Sequence, residues 1–520
     1  MRYYLLLLFI GFGLCFTSCR EDFEFERSSN ASLEFSRDTV YLDTVFTNIG
    51  SSTYTLKVYN RSDKDIKIPS IHLGQNNDSD YRLMVDGVPG KVFNDVELLA
   101  KDSMFIFVET TIDYSKYTNS ETTFLYTDNI QFEHTNGTQK VELVTLVQDA
   151  VFIKPNRSLP DNIKEKLNLS GYSTNLEGHE LTTADELHWT NEKPYVVYGY
   201  ALVPNGKTLT VDPGARVHFH AGSGLVVDTS GTININGGLS STEALENEVI
   251  FEGDRLEPEF SDVAGQWNTL WIFSGENNSI NHLTLKNAAV GILMDVLDDV
   301  RPRLTINNSQ IYNCTDFGIL ARHAYINGDN LVANNAGQAS VALTQGGDYN
   351  FRQCTFANYF NSYNQVPLLI NDYTQTEDAV LVSNLVANFD NCILYGSSNL
   401  GLSLEHKFPQ DVTFKTKFNH CLIKVIDTSN QLRSNPLYPS DGNDPEKALY
   451  TECIIAKSSI NDKPDFLDPQ NNMLGIGEDS AANGTADAAV ATVVGTDILG
   501  VSRQSPYDIG AYESIVFTEE

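Results

Sequence analysis

Five charged residues that could act on a ligand lie close together in the chain: Asp295, Asp298 and Asp299, then Arg301 and Arg303. Carboxylate oxygens are preferred ligands of Ca²⁺, and guanidinium groups bind carboxylates through paired hydrogen bonds. The cluster could therefore hold a calcium ion and an acidic substrate, with Arg301 and Arg303 as the candidate catalytic residues. The alternative is a solvated loop whose charges pair with one another.

Aromatic and imidazole side chains offer further candidates for binding. Tyr359, Phe360 and Tyr363 could stack on sugar rings through their aromatic faces, or they could pack within their own loop. His218 and His220 share one face of a strand and could contact a metal, although the pattern favours ordinary exposed histidines. The sequence indicates no cofactor beyond the calcium ion considered above.

The net charge separates the classes of partner. The chain has 520 residues, with 68 acidic and 35 basic side chains and a net charge of −33. No basic stripe is available to neutralise phosphates, so nucleic acid is excluded as the expected partner. The aromatic content (24 Tyr, 27 Phe) is typical of a β-rich globular protein.

The N-terminus reads as a processing signal. Arg2 precedes an apolar stretch over residues 3–16 that is too short to span a membrane comfortably, and Phe16-Thr17-Ser18-Cys19 follows. This ending resembles a bacterial lipobox, although Phe16 stands where Leu is usual. The resemblance implies removal of residues 1–18 and lipidation of Cys19, with residues 19–30 as a tether. An ordinary signal peptide with an incidental cysteine is the alternative.

The residues after Cys19 indicate where the protein is localised. The acidic run 20–24 resembles the export signal of Bacteroidota-type lipoproteins, which implies an outer-membrane lipoprotein exposed at the cell surface and anchored by lipid. Asp-Ser/Thr-apolar triplets resemble the O-glycosylation sequon of the same bacteria. Their hydroxyl residues are Thr39, Thr44, Ser103 and Ser480.

A six-residue pattern that recurs along the chain predicts the strands that position these candidates. Each copy, called a row here, reads apolar, polar, turn-former, small or Cys, any residue, apolar. Rows spaced 20 to 38 residues apart begin at Leu285, Ile306, Ile326, Phe351, Phe389, Phe418 and Tyr450. The turn-forming positions are Asn287, Asn308, Gly328, Gln353, Asn391, His420 and Glu452. Such a repeat predicts a stacked β-solenoid, with four of the cysteines pointing into its core as reduced thiols.

Short alternating strands occupy residues 31–153, before the repeats. They predict a β-sandwich, and the piece VFTNIGSSTYTLKVYNRSDKDIKIPSI resembles bacterial Ig-like domains, which implies a spacer or a binding platform. Residues 154–188 read as a linker that caps the next domain.

Residues 189–513 carry a more specific resemblance. The succession LTVDPGARVHF, GTININGG, VIFEGD, GQWNTLWI and LKNAAVGI is similar to right-handed parallel β-helix lipoproteins of the pectin-lyase-like superfold. The similarity continues through NNSQIYNCTDFGI and GGDYNFRQCTFANY to SPYDIGAYE, leaving 514–520 as a tail. The predicted fold class is therefore all-β, an Ig-like sandwich followed by a right-handed parallel β-helix.

In the predicted solenoid, the second and the fifth residues of each row point outward and stack from coil to coil, so each forms a column that a ligand could contact. Lys286 and Arg352 lie three coils apart, about 14 Å on the strand spacing, which is too far for joint action on one bond. The other outward column ends in three apolar residues, Ile393, Leu422 and Ile454. Either the register shifts there, or this strip is covered by the inserts 357–385 and 395–415 or by a protein or glycan partner.

Two functions remain open from the sequence. One is a lipid-anchored, non-catalytic surface protein whose β-helix serves adhesion or binds a polysaccharide or surface protein. The other is a polysaccharide lyase or glycoside hydrolase, because enzymes of the resembled superfold cleave acidic polysaccharides. A fold of this kind hosts many functions and does not decide between them.

Overall fold

The structure is a computed structural model that describes residues 25–27, 33–117, 122–158, 160–375, 379–407, 412–439 and 449–517. Cys19 and the predicted signal peptide lie outside the described residues. The chain divides into two compact units, residues 1–149 and 150–520. Nearly all regular structure is β, and large parallel sheets are present, which confirms the coarse fold prediction.

The first unit consists of short strands and two 3₁₀ turns (Asn76–Asp78 and Tyr114–Lys116). Its strands are β1 (Glu26–Arg27), β2 (Leu33–Phe35), β3 (Thr39–Phe46), β4 (Tyr54–Asn60), β5 (Ile66–Leu73), β6 (Tyr81–Val85), β7 (Val88–Gly90), β8 (Val92–Leu98), β9 (Ser103–Thr110), β10 (Thr123–His134) and β11 (Gly137–Gln148).

Two sheets supply the buried cluster of the first unit. Among the described residues, one sheet has the order β1-β5-β10-β11-β3 with β8 beside β5, and the other has the order β2-β4-β9-β6-β7. Most pairs are antiparallel, but β11 runs parallel to β3, with Glu142 opposite Thr39. Alternate residues of β9, including Ile106 and Val108, are fully buried, as expected for strands with one face in a core.

The second unit contains many more strands, one α-helix, α1 (Ala488–Val494), and 3₁₀ turns at Pro258–Phe260, Leu432–Ser434 and Pro469–Asn471 within its described part. Its strands are β12 (Val151–Ile153), β13 (Arg157–Ser158), β14 (Ile163–Lys164), β15 (Lys166–Leu169), β16 (Tyr172–Glu180), β17 (His188–Trp189), β18 (Tyr195–Val197), β19 (Tyr200–Val203), β20 (Thr208–Val211), β21 (Arg216–Phe219), β22 (Gly224–Val227), β23 (Thr232–Asn236), β24 (Val249–Gly253), β25 (Leu270–Ile272), β26 (Asn278–Asn281), β27 (Leu283–Lys286), β28 (Val290–Met294), β29 (Arg303–Asn307), β30 (Gln310–Cys314), β31 (Phe317–Asp329), β32 (Val332–Ala336), β33 (Ala339–Arg352), β34 (Thr355–Asn358), β35 (Val366–Asn371), β36 (Tyr373–Gln375), β37 (Val380–Val382), β38 (Leu385–Asp390), β39 (Ile393–Gly396), β40 (Leu402–Glu405), β41 (Phe414–Asn419), β42 (Leu422–Lys424), β43 (Tyr450–Thr451), β44 (Ile454–Ala456), β45 (Phe466–Asp468) and β46 (Met473–Ile476).

Each coil of the second unit adds parallel strands to a growing stack. One parallel sheet runs β12-β18-β21-β24-β27-β30-β32-β34-β39-β42-β44 through the described residues. A larger sheet contains two further ladders of parallel strands. They join at β31 and β33, because β31 is long enough to pair with both β28 and β29, and β33 then pairs along the length of β31. The inward residues, such as Leu385, Ala387 and Phe389 of β38, are fully buried in one continuous core. Burial of these alternating apolar residues is the main stabilising term.

The register of the later rows is as predicted. Phe351, Phe389, Phe418 and Tyr450 are successive partners across the stack, and their rings lie 5.0 to 5.5 Å apart. Corner residues with positive φ include Asn308, Gln353, Asn391, His420 and Glu452, which were predicted as turn-formers. Amide side chains connect some corners, as where Asn330 donates to Asn308 Oδ1 at 2.9 Å.

Two of the earlier rows were wrong. Ile306 pairs with Gly328 rather than Ile326, so the corner lies at Asn330 instead of Gly328. Leu285 belongs to a different ladder, where its partner is Ile311, and the true predecessor of Ile306 is Ile280. The Leu285 row failed because β26 and β27, two consecutive strands of one coil, carry the same apolar alternation, and spacing alone does not tell them apart.

The cysteine prediction is confirmed for the described residues. Cys314, Cys354, Cys392, Cys421 and Cys453 are free thiols, of which the first four are buried. Cys354, Cys392, Cys421 and Cys453 follow one another at the same row position, and the Cys392 amide N–H points to the Cys421 sulfur at 3.4 Å.

We expect the buried thiols to resist iodoacetamide in the folded protein. Burial raises the pKa of Cys314 to about 12 and also raises the pKa of Cys392, so little reactive thiolate is present. Cys453, which is only half-buried, should react before the others. Mass spectrometry of protein labelled before and after denaturation measures this order, and rapid native labelling of Cys392 would contradict the burial.

The C-terminal segment 465–517 covers the outward apolar strip. Ile393 and Leu422 are fully buried and Ile454 is half-buried, in a cluster with Ile476, Ala482 and Ile509. Gly510 permits the close approach, because a Cβ at this position, where φ is +101°, would lie 2.6 Å from the Ile393 side chain. The expectation that the inserts or a partner cover this strip is therefore corrected.

Candidate functional site

The first coils of the second unit enclose an open cleft of about 590 Å³. It lies where the β13–β14 hairpin and β16 meet the turns that precede β19 and β22. Its lining residues are Lys154, Pro155, Arg157, Lys164, Asn175, Leu176, Glu177, Tyr198, Gly199, Tyr200, His220, Ala221, Gly222 and Asn268. A Cβ at Gly199 would lie 2.6 Å from the Glu177 carbonyl oxygen, so glycine is required for the close approach of β16 to the turn before β19.

One wall of the cleft is aromatic and rigidly held. The Tyr198 ring stacks on the His220 imidazole with centroids 4.4 Å apart, and His220 Nδ1 lies 2.7 Å from Asp254 Oδ2. Burial and the negative charge of Asp254 raise the pKa of Tyr198 to about 12, so its hydroxyl stays protonated at neutral pH. Tyr200 is buried below, where its hydroxyl accepts a hydrogen bond from Asn268 Nδ2 at 2.8 Å.

The cationic wall of the cleft, formed by Lys154, Arg157 and Lys164, stands out in a protein that is strongly acidic overall. Arg157 donates to Asn162 Oδ1 at 3.1 Å, and neither Arg157 nor Lys154 forms an ion pair with any described residue. Lys164 is paired with Glu177, which is the carboxylate among the described lining residues. Two unpaired cations that line the same cleft as an aromatic ring can receive a ligand that combines a ring face with an acidic group.

Of the residues that line this cleft, only His220 was a candidate from the sequence. The lining residues come from six separate segments between positions 154 and 268, so no local spacing brings them together. The usable signals were Pro155, Gly199 and Gly222, since glycine and proline mark the turns at the coil ends. His218, the other histidine considered as a metal contact, was expected to be exposed but is buried. Its Nδ1 lies 3.4 Å from the Gly253 carbonyl oxygen.

The arginines of the predicted enzyme-like cluster are engaged within the protein. Arg301 pairs with Asp348 at 3.0 Å, donates to the His323 carbonyl and stacks its guanidinium 3.7 Å from the centre of the Tyr325 ring. Arg303 lies over the same ring at 4.7 Å.

The acidic members of that cluster do not converge. Asp295 pairs with Arg322 at 2.7 Å, and Asp298 accepts a hydrogen bond from the Tyr172 hydroxyl at 2.9 Å. Asp298 and Asp299 follow each other with positive φ in an exposed loop. Across the described residues, no group of three or more His, Cys, Asp or Glu side chains is placed to hold a metal. These residues therefore form neither the calcium site considered from the sequence nor a loop whose charges pair with one another, since their partners lie elsewhere in the second unit.

The other candidates lie apart from the cleft. Tyr359 packs edge-on against Phe466 with centroids 6.3 Å apart, Phe360 is half-buried, and Tyr363 is fully exposed. Ser480 is buried, where its Oγ accepts from the Ala482 amide at 3.2 Å, so it is not accessible to a glycosyltransferase in this fold. Thr39, Thr44 and Ser103 are half-buried on strands of the first unit.

Comparison with known proteins gives only distant likenesses. No protein family and no curated protein matches the chain. A GH87 alpha-1,3-glucanase catalytic domain in complex with tetrasaccharides aligns over 70% of this chain and 80% of its own, at 9% identity and a TM-score of 0.22. The periplasmic chaperone SfaE aligns at 14% identity and a TM-score of 0.16 over 22% of this chain. This chain covers 57% of the chaperone's length. At these TM-scores the likenesses carry no argument about function.

No helix in the described part of the chain is both long enough and apolar enough to cross a membrane.

Proposed function

We propose that this chain is a lipid-anchored outer-membrane protein that binds glycans at the cell surface without cleaving them. In this proposal Cys19 carries the lipid, the first unit is an Ig-like spacer, and the second unit is a right-handed parallel β-helix. The observation that supports glycan binding is the cleft of the first coils. It combines the stacked Tyr198 ring, an amide at Asn268 and the unpaired cations Lys154 and Arg157.

The chemistry of the cleft favours a glycan that carries acidic sugars. An aromatic ring offers a face for the apolar side of a sugar, and amides satisfy hydroxyls. Arginine and lysine would bind a uronate carboxylate. Glycoside hydrolysis usually needs two carboxyl groups that flank one bond. The carboxylate among the described lining residues, Glu177, is already ion-paired with Lys164. This arrangement supports binding over cleavage.

The proposal is tested by exposing the whole protein to immobilised oligogalacturonate and to neutral polysaccharides, with and without Ca²⁺. We expect binding to the acidic glycan without new reducing ends and without absorbance from unsaturated products. Turnover of any polysaccharide would overturn the non-catalytic reading in favour of a lyase or hydrolase. Absence of binding to every polysaccharide would overturn the glycan-binding function itself.

We expect Tyr198→Ala to weaken binding of oligogalacturonate about tenfold, which corresponds to about 1.4 kcal/mol. The reason is loss of the sugar-facing ring and of the wall that it forms with His220. Isothermal titration calorimetry measures the change.

The matched control is Tyr363→Ala, which removes a fully exposed aromatic ring from the predicted sugar-stacking insert. Its affinity should equal that of the wild type. A loss in Tyr363→Ala but not in Tyr198→Ala would place the site on the insert instead.

A further inference from the structure

A histidine beside the cleft bridges two carboxylates. His179 lies in β16, with Nδ1 3.0 Å from Glu165 Oε2 and Nε2 2.9 Å from Glu186 Oε1. All three side chains are largely buried, with 17%, 26% and 30% of their surfaces exposed. The two glutamates lie on different segments, Glu165 after β14 and Glu186 before β17. The imidazole therefore joins two parts of the coil that are separate in sequence.

The bridge requires a charged imidazole. A neutral histidine has one ring N–H and can donate to only one carboxylate, whereas the imidazolium donates from both nitrogens. The carboxylates are held in place by other donors. Glu165 Oε2 accepts from the Asn156 backbone and side-chain nitrogens at 3.0 and 2.9 Å, and Glu186 Oε2 accepts from the Thr182 and Thr183 amides. Loss of the proton thus leaves one fixed carboxylate without its partner.

Two carboxylates make direct ion pairs with this histidine. Glu165 and Glu186 have the largest charge effects on it, and its partner on the neighbouring strand β19 is Ala201. Asn156 Nδ2, which is uncharged, lies 3.2 Å from Nδ1.

The bridge also fixes the cationic wall of the cleft. Glu165 directly follows Lys164, and its amide donates to the Asn156 carbonyl at 2.8 Å, closing the β13–β14 hairpin. Asn156 in turn directly precedes Arg157. The same Glu165 side chain that meets His179 therefore positions the hairpin that carries Arg157 and Lys164.

We propose that the Glu165–His179–Glu186 bridge is a proton-dependent fastening of the β13–β14 hairpin, so that the cationic wall is ordered at mildly acidic pH and loosens as the pH rises. Its consequence for ligand affinity rests on the proposed glycan-binding function. The fastening itself is a property of the free protein.

The direction of the pH dependence follows from the two kinds of group. Burial lowers the pKa of His179, but hydrogen bonds to Glu186 and Glu165 outweigh it, and the net shift is upward from 6.5. Burial raises the pKa of Glu186, but the Thr183 amide, His179 and the Thr182 amide outweigh it and bring it to about 2. The stabilisation is therefore complete from above pH 4.5 to pH 6.5 and is lost as the pH rises through the raised pKa of His179.

The test compares the wild type with His179→Gln, whose side chain does not titrate, and with His220→Gln, which removes the other imidazole near the cleft. Hydrogen exchange of the amides of residues 156–158 and 161–165, corrected for intrinsic rates, is measured without ligand between pH 6 and pH 9. We expect hairpin protection in the wild type and in His220→Gln to fall about threefold or more across this range. In His179→Gln it should be low at every pH.

Protection that is independent of pH in the wild type, or equal in His179→Gln, would overturn the proposal. Titration of oligogalacturonate at pH 6 and pH 8.5 adds the functional arm, in which wild-type affinity should fall and that of His179→Gln should stay flat. Absence of glycan binding would reject the proposed function, while the exchange data would still decide the fastening.

Discussion

Replacing Arg503 with Met is expected to lower the free energy of unfolding of the second unit by about 3–5 kcal/mol, the usual cost of removing one partner of a buried ion pair. The Arg503 side chain is fully buried, and each of its nitrogens has a partner. It donates to Glu513 Oε1 at 2.9 Å, Asn330 Oδ1 at 3.0 Å, and the Gly510 and Thr496 carbonyls at 2.9 and 3.3 Å.

The large effect has two sources. Without Arg503, the carboxylate of Glu513, whose pKa is already raised by burial, loses its countercharge. Asn330 also belongs to the corner of the stack, so Arg503 is a direct polar tie between the C-terminal segment and the coils. Its loss should loosen the cover over Ile393 and Leu422.

Urea denaturation followed by tryptophan fluorescence measures this change, because Trp189, Trp267 and Trp271 all lie in the second unit. The matched control is Arg322→Met, which breaks a partly exposed ion pair with Asp295 and should cost about 1 kcal/mol or less. Equal effects of the two substitutions would mean that the C-terminal segment is not held by Arg503.

Replacing Phe389 with Ala should destabilise the second unit by about 3–5 kcal/mol. Phe389 is fully buried between Phe351 and Phe418, with ring centroids 5.5 and 5.0 Å away, and Phe356 meets it edge-on. Its neighbours belong to adjacent coils of a close-packed stack, so they can fill little of the space that the ring leaves.

Urea denaturation with the same fluorescence signal reports the loss, and Tyr363→Ala is the control. That side chain is fully exposed, so its removal should change the free energy of unfolding by about 0.5 kcal/mol or less. A similarly small effect of Phe389→Ala would show that the aromatic column does not form the core.

The sequence predicted those features that depend on local alternation. In rows such as Phe389 to Leu394, six consecutive residues specify the inward positions, the corner and the small core residue. The structure has these residues at the predicted positions. The row at Ile326 failed because Tyr349 and Phe351 both suit an inward position, and only the pairing of whole strands decides which one opposes Ile326.

Features that depend on distant segments were not predictable in the same way. The apolar residues Ile393 and Leu422 correctly signalled a covered face. Nothing in their surroundings indicates that the covering residues, Ile476 and Ile509, lie 54 to 116 positions further along the chain. The cleft has the same character, since Arg157, Tyr198 and Asn268 meet only through the stacking of coils. The charges from Asp295 to Arg303 are close in sequence and therefore suggested a site. In the structure, Asp295 and Arg301 are instead ion-paired with Arg322 and Asp348.

Locating the bound glycan on the protein tests the proposed function most directly. Hydrogen exchange of the whole protein, with and without saturating oligogalacturonate at pH 6, maps the amides that the ligand protects. We predict protection in the cleft segments 154–157, 175–178, 198–200 and 220–222. Protection confined to 295–303 or 359–364, with the cleft unchanged, would contradict the assignment of the cleft as the glycan-binding site.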